Sequence, residues 1–138
     1  MRAVVQRVSA AAVSVKGVEV SRIGAGMLVL LGVGRTDGSA EVERMANKIS
    51  KLRIFEDANG RMNEAAGDRE ILCVSQFTLY GDTSSGNRPG FKDAASGDDA
   101  EKLYEEVCDR LGAKRGAFGA DMRVEIIGDG PVTILIDV

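Results

Sequence analysis

The sequence predicts an α+β domain, an antiparallel, barrel-like β-sheet with two flanking helices packed on one side. Three observations predict it. Period-2 hydrophobic runs fill the first quarter of the chain and its end. Two well-separated stretches switch to helical period. The strands are joined mostly by tight turns, not by the helical crossovers of a doubly wound sheet. The 138 residues suit a single domain spanning 1–138, long enough to bury roughly 68–70% of the surface the unfolded chain exposes.

Val4, Gln6 and Val8 alternate with Val5 and Arg7 and open the first strand. Val13–Val15 and Val18–Ser21 flank Lys16-Gly17, a hairpin signature. Met27–Val33 is a continuous apolar run, expected as a buried strand. Val42, Met45, Ala46, Ile49 and Leu52 then fall on one face of a helix over 39–52, with Ser39 as its N-cap and acids in its first turn. Leu52–Phe55 returns to β character before the Asn59-Gly60 turn. Residues 70–80 read as one strand, followed by a loop of Gly, Ser, Asn, Pro and Asp from Gly81 to Gly97. A second helix carries Leu103, Val107 and Leu111, with Gly112 as its stop. The end reads as a hairpin, Met122–Ile127 and Val132–Val138 around Gly128-Asp129-Gly130-Pro131. No repeat or linker divides the chain.

Composition removes whole classes of chemistry. The chain contains no histidine, so Ser-His-Asp triads, Cys-His pairs and His-ligated zinc are excluded. Cys73 and Cys108 lack metal-site spacing and read as small buried hydrophobes. No metal and no cofactor is expected. No apolar run approaches the ~20 residues of a bilayer span, and Gln6 and Arg7 interrupt any signal-peptide pattern, so the expected compartment is the cytoplasm and no membrane partner is expected. The net charge of −3 argues against nonspecific duplex binding. It leaves room for a local basic cluster at an RNA end, with Lys48, Lys51, Arg53, Lys114 and Arg115 as candidates.

Three segments are candidate sites. Gly32–Gly38 nearly fits a dinucleotide-binding glycine pattern, but Asp37 takes the third glycine position, where its charge opposes a pyrophosphate. The segment reads better as a plain strand-to-helix turn. Ser75-Gln76-Phe77-Thr78-Leu79-Tyr80 places an amide and a hydroxyl in an apolar strand, either facing water or lining a small polar pocket. Gly130-Pro131 is either a hairpin turn or a fixed corner that directs two carbonyls into a neighbouring site.

Taken in order, Met1–Val8, Leu52–Phe55, Ser75–Tyr80 and Gly130–Thr133 resemble the D-aminoacyl-tRNA deacylases over essentially the whole chain. The resemblance implies a homodimer on a barrel-like sheet, acting on the aminoacylated tRNA 3′ end. It implies hydrolysis of the ester between a D-amino acid, or glycine, and the terminal ribose. Gly130 and Pro131, joined by a cis bond and braced by Arg7, would be the gate against L-amino acids, supplied to the partner's pocket. Ser75, Gln76, Phe77 and Thr78 would form that pocket. Thr78 is then either the nucleophile or, with Phe77, a source of backbone N–H donors while the ribose 2′-OH helps to activate water. Where the family usually has Asn two residues before the Gly of Gly-Pro, this chain has Gly128. The competing readings are a nucleotide-binding module on Gly32–Gly38 and a noncatalytic RNA-end binder.

Overall fold

A computed structural model describes residues 1–138. The first strand, β1 (Arg2–Val15), pairs antiparallel with three others. Lys16-Gly17, both with positive φ, turns it into β2 (Val18–Ile23), the hairpin expected from sequence. The strand β3 (Gly26–Gly32) lies beside the first half of β1. Helix α1 spans Ser39–Ser50. Its N-cap is Gly38, not Ser39, because the Glu41 carboxylate accepts the Gly38 N–H at 2.9 Å. A small ladder, β4 (Phe55–Glu56) with β5 (Met62–Glu64), precedes β6 (Glu70–Ser75). Helix α2 (Gly97–Leu111) stops at Gly112, whose left-handed backbone (φ 59°) closes its last turn. Then come β7 (Lys114–Arg115) and β8 (Arg123–Asp137).

The α+β class, the two helices and the barrel-like curl hold, but the sheet is mixed instead of purely antiparallel. Strand β6 runs parallel to β3, and β7 parallel to β6. Each of those connections is long and passes through a helix, which returns the chain to its starting edge. The curled sheet nearly closes where β2 meets β7. There the Ser21 hydroxyl donates to the Arg115 carbonyl at 2.7 Å and the Lys114 ammonium to the Arg22 carbonyl at 2.7 Å.

The central strands are buried on both faces, which explains the unbroken apolar run of β3. Met27, Val29 and Leu31 face the helices with Ile71 and Cys73, joining Val42, Met45 and Ile49 of α1 and Tyr104, Val107 and Cys108 of α2. Leu28 faces the barrel interior with Leu72, Val74, Val8, Val13 and Ile23. Both cysteines are free and buried. The Cys108 hydrogen bond, burial and the neighbouring Cys108 charge push the Cys73 thiol well above its ordinary range, so it stays protonated.

Two elements differ from the sequence expectation. The ladder of β6 ends at Ser75; one more bond, Gln76 N–H to the Leu31 carbonyl at 2.8 Å, is followed by a 3₁₀ turn over Phe77–Tyr80. The end of the chain is not a hairpin. Strand β8 runs its whole length against β1, pairing Ser14 with Arg123 at one end and Arg2 with Asp137 at the other. Val8 pairs with Gly128 and Gln6 with Thr133, so residues 129–132 bulge out opposite Arg7 alone.

Candidate functional site

The corner at Ser75–Tyr80 exists because glycines beneath it leave space. A Cβ on Gly32 would lie 3.0 Å from the Gln76 carbonyl and 3.2 Å from Leu79 Cβ; one on Gly34 would lie 2.6 Å from the Tyr80 hydroxyl. These glycines therefore serve close packing of the 3₁₀ turn. Phosphate binding is opposed by the partners already in place. Asp37 accepts from the Gly34 N–H at 2.6 Å and from the Met1 ammonium at 2.8 Å, and Glu41 covers the Gly38 N–H. The helix N-terminus thus carries carboxylates where a pyrophosphate would need free donors.

Arg2 fastens the far end of the turn, donating to the Leu79 carbonyl at 3.1 Å and lying over the Tyr80 ring at 4.6 Å. The Tyr80 hydroxyl donates to Asp37 at 3.5 Å. Burial, followed by the Asp37 charge, pushes its pKa up to about 12. At neutral pH this phenol is a fixed donor and no base.

The turn presents Phe77 and Thr78 outward. Phe77 is 56% exposed and meets Phe91 edge-on at 5.1 Å. Phe91 comes from the Gly81–Ser96 loop, which is pinched by paired bonds between Asp82 and Gly90 at 2.8 Å. The Gln76 side-chain amide donates to the Thr78 hydroxyl. An amide cannot take a proton, so this pairing orients Thr78 without activating it. The first bond inside the turn runs from Leu79 N–H to the Gln76 carbonyl. The N–H groups of Phe77 and Thr78 precede it and have no partner within the turn.

The second corner is the 129–132 bulge. The Gly130-Pro131 bond is cis, both residues are exposed, and Gly130 has φ 149°. A Cβ there would meet the Val132 nitrogen at 2.4 Å, so only glycine fits. Arg7 holds the bulge from beneath. Nearly buried, it donates through Nε to the Asp129 carbonyl at 3.0 Å and through Nη1 to the Ile54 carbonyl at 2.8 Å. The Asp129 carboxylate lies 3.2 Å from the same Nε. Gly128 has open space where a side chain would stand.

Within one chain the two corners do not meet. Ser75 stands beside Leu31 and Leu31 opposite Ala3, whereas the bulge faces Arg7. Followed along the sheet, that is four residues, about 13 Å, plus three strand spacings, about 14 Å. Sequence reasoning named both corners but missed Arg2, Tyr80, Asp37, Ile54 and Phe91 as their supports. Phe91 had a signal, a lone aromatic in a loop of small polar residues. The Ile54 carbonyl, a main-chain group, had none.

Residues 4–137 match the D-Tyr-tRNA(Tyr) deacylase family. The chain belongs to that family. It is 54% identical to a D-aminoacyl-tRNA deacylase of Anaeromyxobacter dehalogenans (strain 2CP-C), over 99% of this chain and 97% of that protein. It is 50% identical to one of Porphyromonas gingivalis (strain ATCC BAA-308 / W83), with the same coverage of both. A solved structure described as c-Myc DNA Unwinding Element Binding Protein superposes with a TM-score of 0.95 at 43% identity, covering 100% of this chain and 99% of that one. Another, of a probable eukaryotic D-amino acid tRNA deacylase, superposes with a TM-score of 0.82 at 17% identity, covering 99% and 98%, a likeness of fold. As a member of this family the chain is an ester hydrolase.

Proposed function

We propose that this protein hydrolyses the ester between a D-amino acid and the 3′-terminal ribose of tRNA, and that it also accepts glycyl-tRNA. The carrying observation is a hydroxyl corner with no general base, in a chain about half identical end to end to D-aminoacyl-tRNA deacylases. Thr78, oriented by Gln76, contacts substrate and does not attack it. The N–H groups of Phe77 and Thr78 receive the charge that develops on the ester oxygen. Attack comes from water, assisted by the ribose 2′-OH beside the ester. Ser75 and Gln76 line the pocket.

Gly130 and Pro131 act as the chirality gate, with Arg7 as the positioning residue beneath them. Their carbonyls hold the substrate ammonium and leave no room for an L side chain. Main chain suits this task because it cannot swing aside as a side chain would, and rejection needs stiffness. Glycine, with no side chain, passes.

The gate works on the pocket of a second copy, making the active form a homodimer. Three features support that reading. The two corners lie apart in one chain, β8 has no strand on its outer edge, and Ile126, Ile127 and Leu135 are exposed along it. No helix is long and apolar enough to cross a membrane, and the proposed substrate places the enzyme in the cytoplasm. The test is hydrolysis of D-tyrosyl-, L-tyrosyl- and glycyl-tRNA. Cleavage of the D and glycyl esters on the order of a hundredfold faster than the L ester is expected, about 2.7 kcal/mol of discrimination. Equal rates for D and L would overturn the gate.

A further inference from the structure

A groove of about 610 Å³ lies along α1 and the segment that follows it. Arg44, Lys48, Lys51 and Arg53 line it with Asn47, over a floor of Leu52 and Val138, and no aspartate or glutamate is among the lining residues. The concentration of cations is notable in a chain of net charge −3. Lys114 and Arg115, which the sequence could group with them, are elsewhere and neutralised. Lys114 pairs with Glu70 at 2.6 Å, and Arg115 pairs with Glu105 at 2.6 Å and with Asp109. In the groove only Arg44 has a carboxylate partner, Glu41. Lys48 and Lys51 have none, and Arg53 spends one donor on the Asn63 carbonyl at 2.7 Å.

We propose that this groove grips the sugar–phosphate backbone of the tRNA acceptor stem, on the subunit that donates the gate. The inference rests on the deacylase reading and adds the contact surface for the body of the substrate. Arg44, Lys48 and Lys51 follow at helical spacing along about 10 Å of α1. That length matches on the order of three successive phosphates on one strand of a duplex. Arg53 adjoins Ile54, the carbonyl that anchors Arg7, and Arg7 in turn holds Asp129 beside the gate. A continuous path of main chain and one guanidinium therefore connects the phosphate grip to the gate. The helix C-terminus favours cations at Lys48 and Lys51, but it does not account for Arg53 beyond the helix or Arg44 before its last turn.

The test uses a fluorescent acceptor-stem RNA hairpin carrying no amino acid, titrated with the full-length protein at several salt concentrations. K48Q/K51Q alters two exposed residues with no side-chain partner, and R53Q is examined separately. Circular dichroism and urea midpoints establish that each folds. Binding by K48Q/K51Q is expected to weaken on the order of tenfold or more near 0.1 M salt, with the salt slope reduced by about 2. R53Q should reduce it by about 1. Unchanged affinity and slope in both folded variants would overturn the groove. Because the hairpin has no ester, this result is independent of the hydrolysis assay. Failure to cleave D-tyrosyl-tRNA would sink the deacylase reading, whereas an unchanged salt slope would sink only the groove.

Discussion

Arg7 gives the sharpest test of how the proposed gate is held. Its guanidinium reaches two main-chain carbonyls at once, Asp129 at 3.0 Å and Ile54 at 2.8 Å. A lysine keeps the charge but has one nitrogen in place of a fixed fork, so it cannot reproduce the separate Nε and Nη1 positions that meet the two carbonyls. Arg7→Lys should therefore leave a carbonyl buried without a donor, costing about 1–3 kcal/mol. Arg7→Ala removes both bonds and the packed aliphatic stem, so about 3–5 kcal/mol is expected. Asp129→Asn deletes only the carboxylate, which is 56% exposed, and should cost less than about 1 kcal/mol. Urea unfolding gives the stabilities, and hydrolysis of D-tyrosyl-tRNA gives the state of the gate. Arg7→Lys should lose tenfold or more in rate while Asp129→Asn stays near wild type. An Arg7→Lys protein as stable and active as wild type would refute the two-carbonyl clamp. So would an Asp129→Asn protein as damaged as Arg7→Lys, since the ion pair would then be what matters.

Gly130→Ala places a Cβ 2.4 Å from the Val132 nitrogen; D-ester hydrolysis should fall at least tenfold and the urea midpoint should drop. Thr78→Val should keep most of its kcat if water is the nucleophile, whereas complete loss with intact binding would make Thr78 the attacking group. The chain has two tyrosines, Tyr80 and Tyr104, and burial raises both above the usual value. Absorbance at 295 nm should show almost no tyrosinate at pH 10 in the folded protein. The folded chain keeps protons that the unfolded chain releases near pH 10, so stability is full below that pH and falls as pH rises through about 12. Leu135→Asp, at an 80% exposed position on the edge strand β8, should convert the proposed dimer to monomer by light scattering; a wild type that is already monomeric would refute that strand as an interface.

The helices and the first hairpin were legible because their signals are local. A helical stripe of Val42, Met45, Ala46 and Ile49 has one way to be buried, and Lys16-Gly17 supplies the positive φ values its turn needs. Residues 70–80 misled because β-forming residues, Phe77, Thr78 and Tyr80 among them, continue past the point where the ladder stops. What ends it is space made by Gly32 and Gly34, more than forty residues away. Gly128–Pro131 has every residue of a hairpin turn. Both its flanks pair with β1 and not with each other, a long-range choice that turn composition does not encode. The candidate site was legible as two motifs, but not the braces of those two corners, because the carbonyls of Ile54 and Asp129 belong to main chain and carry no residue-type signature.

In the proposed homodimer, the distance between the two corners along the sheet has a genetic consequence. One inactive protein could carry Gly130→Ala with an intact pocket, and another an intact gate with a disabled 77–80 turn. Neither would work alone, and each would fail at any concentration. Refolded together in equal amounts, half of the dimers would be mixed, and each would pair one sound pocket with one sound gate. The mixture should recover about a quarter of the wild-type sites. Two null alleles would then complement each other in one cell, with the bulge opposite Arg7 supplied by one and the corner after Ser75 by the other.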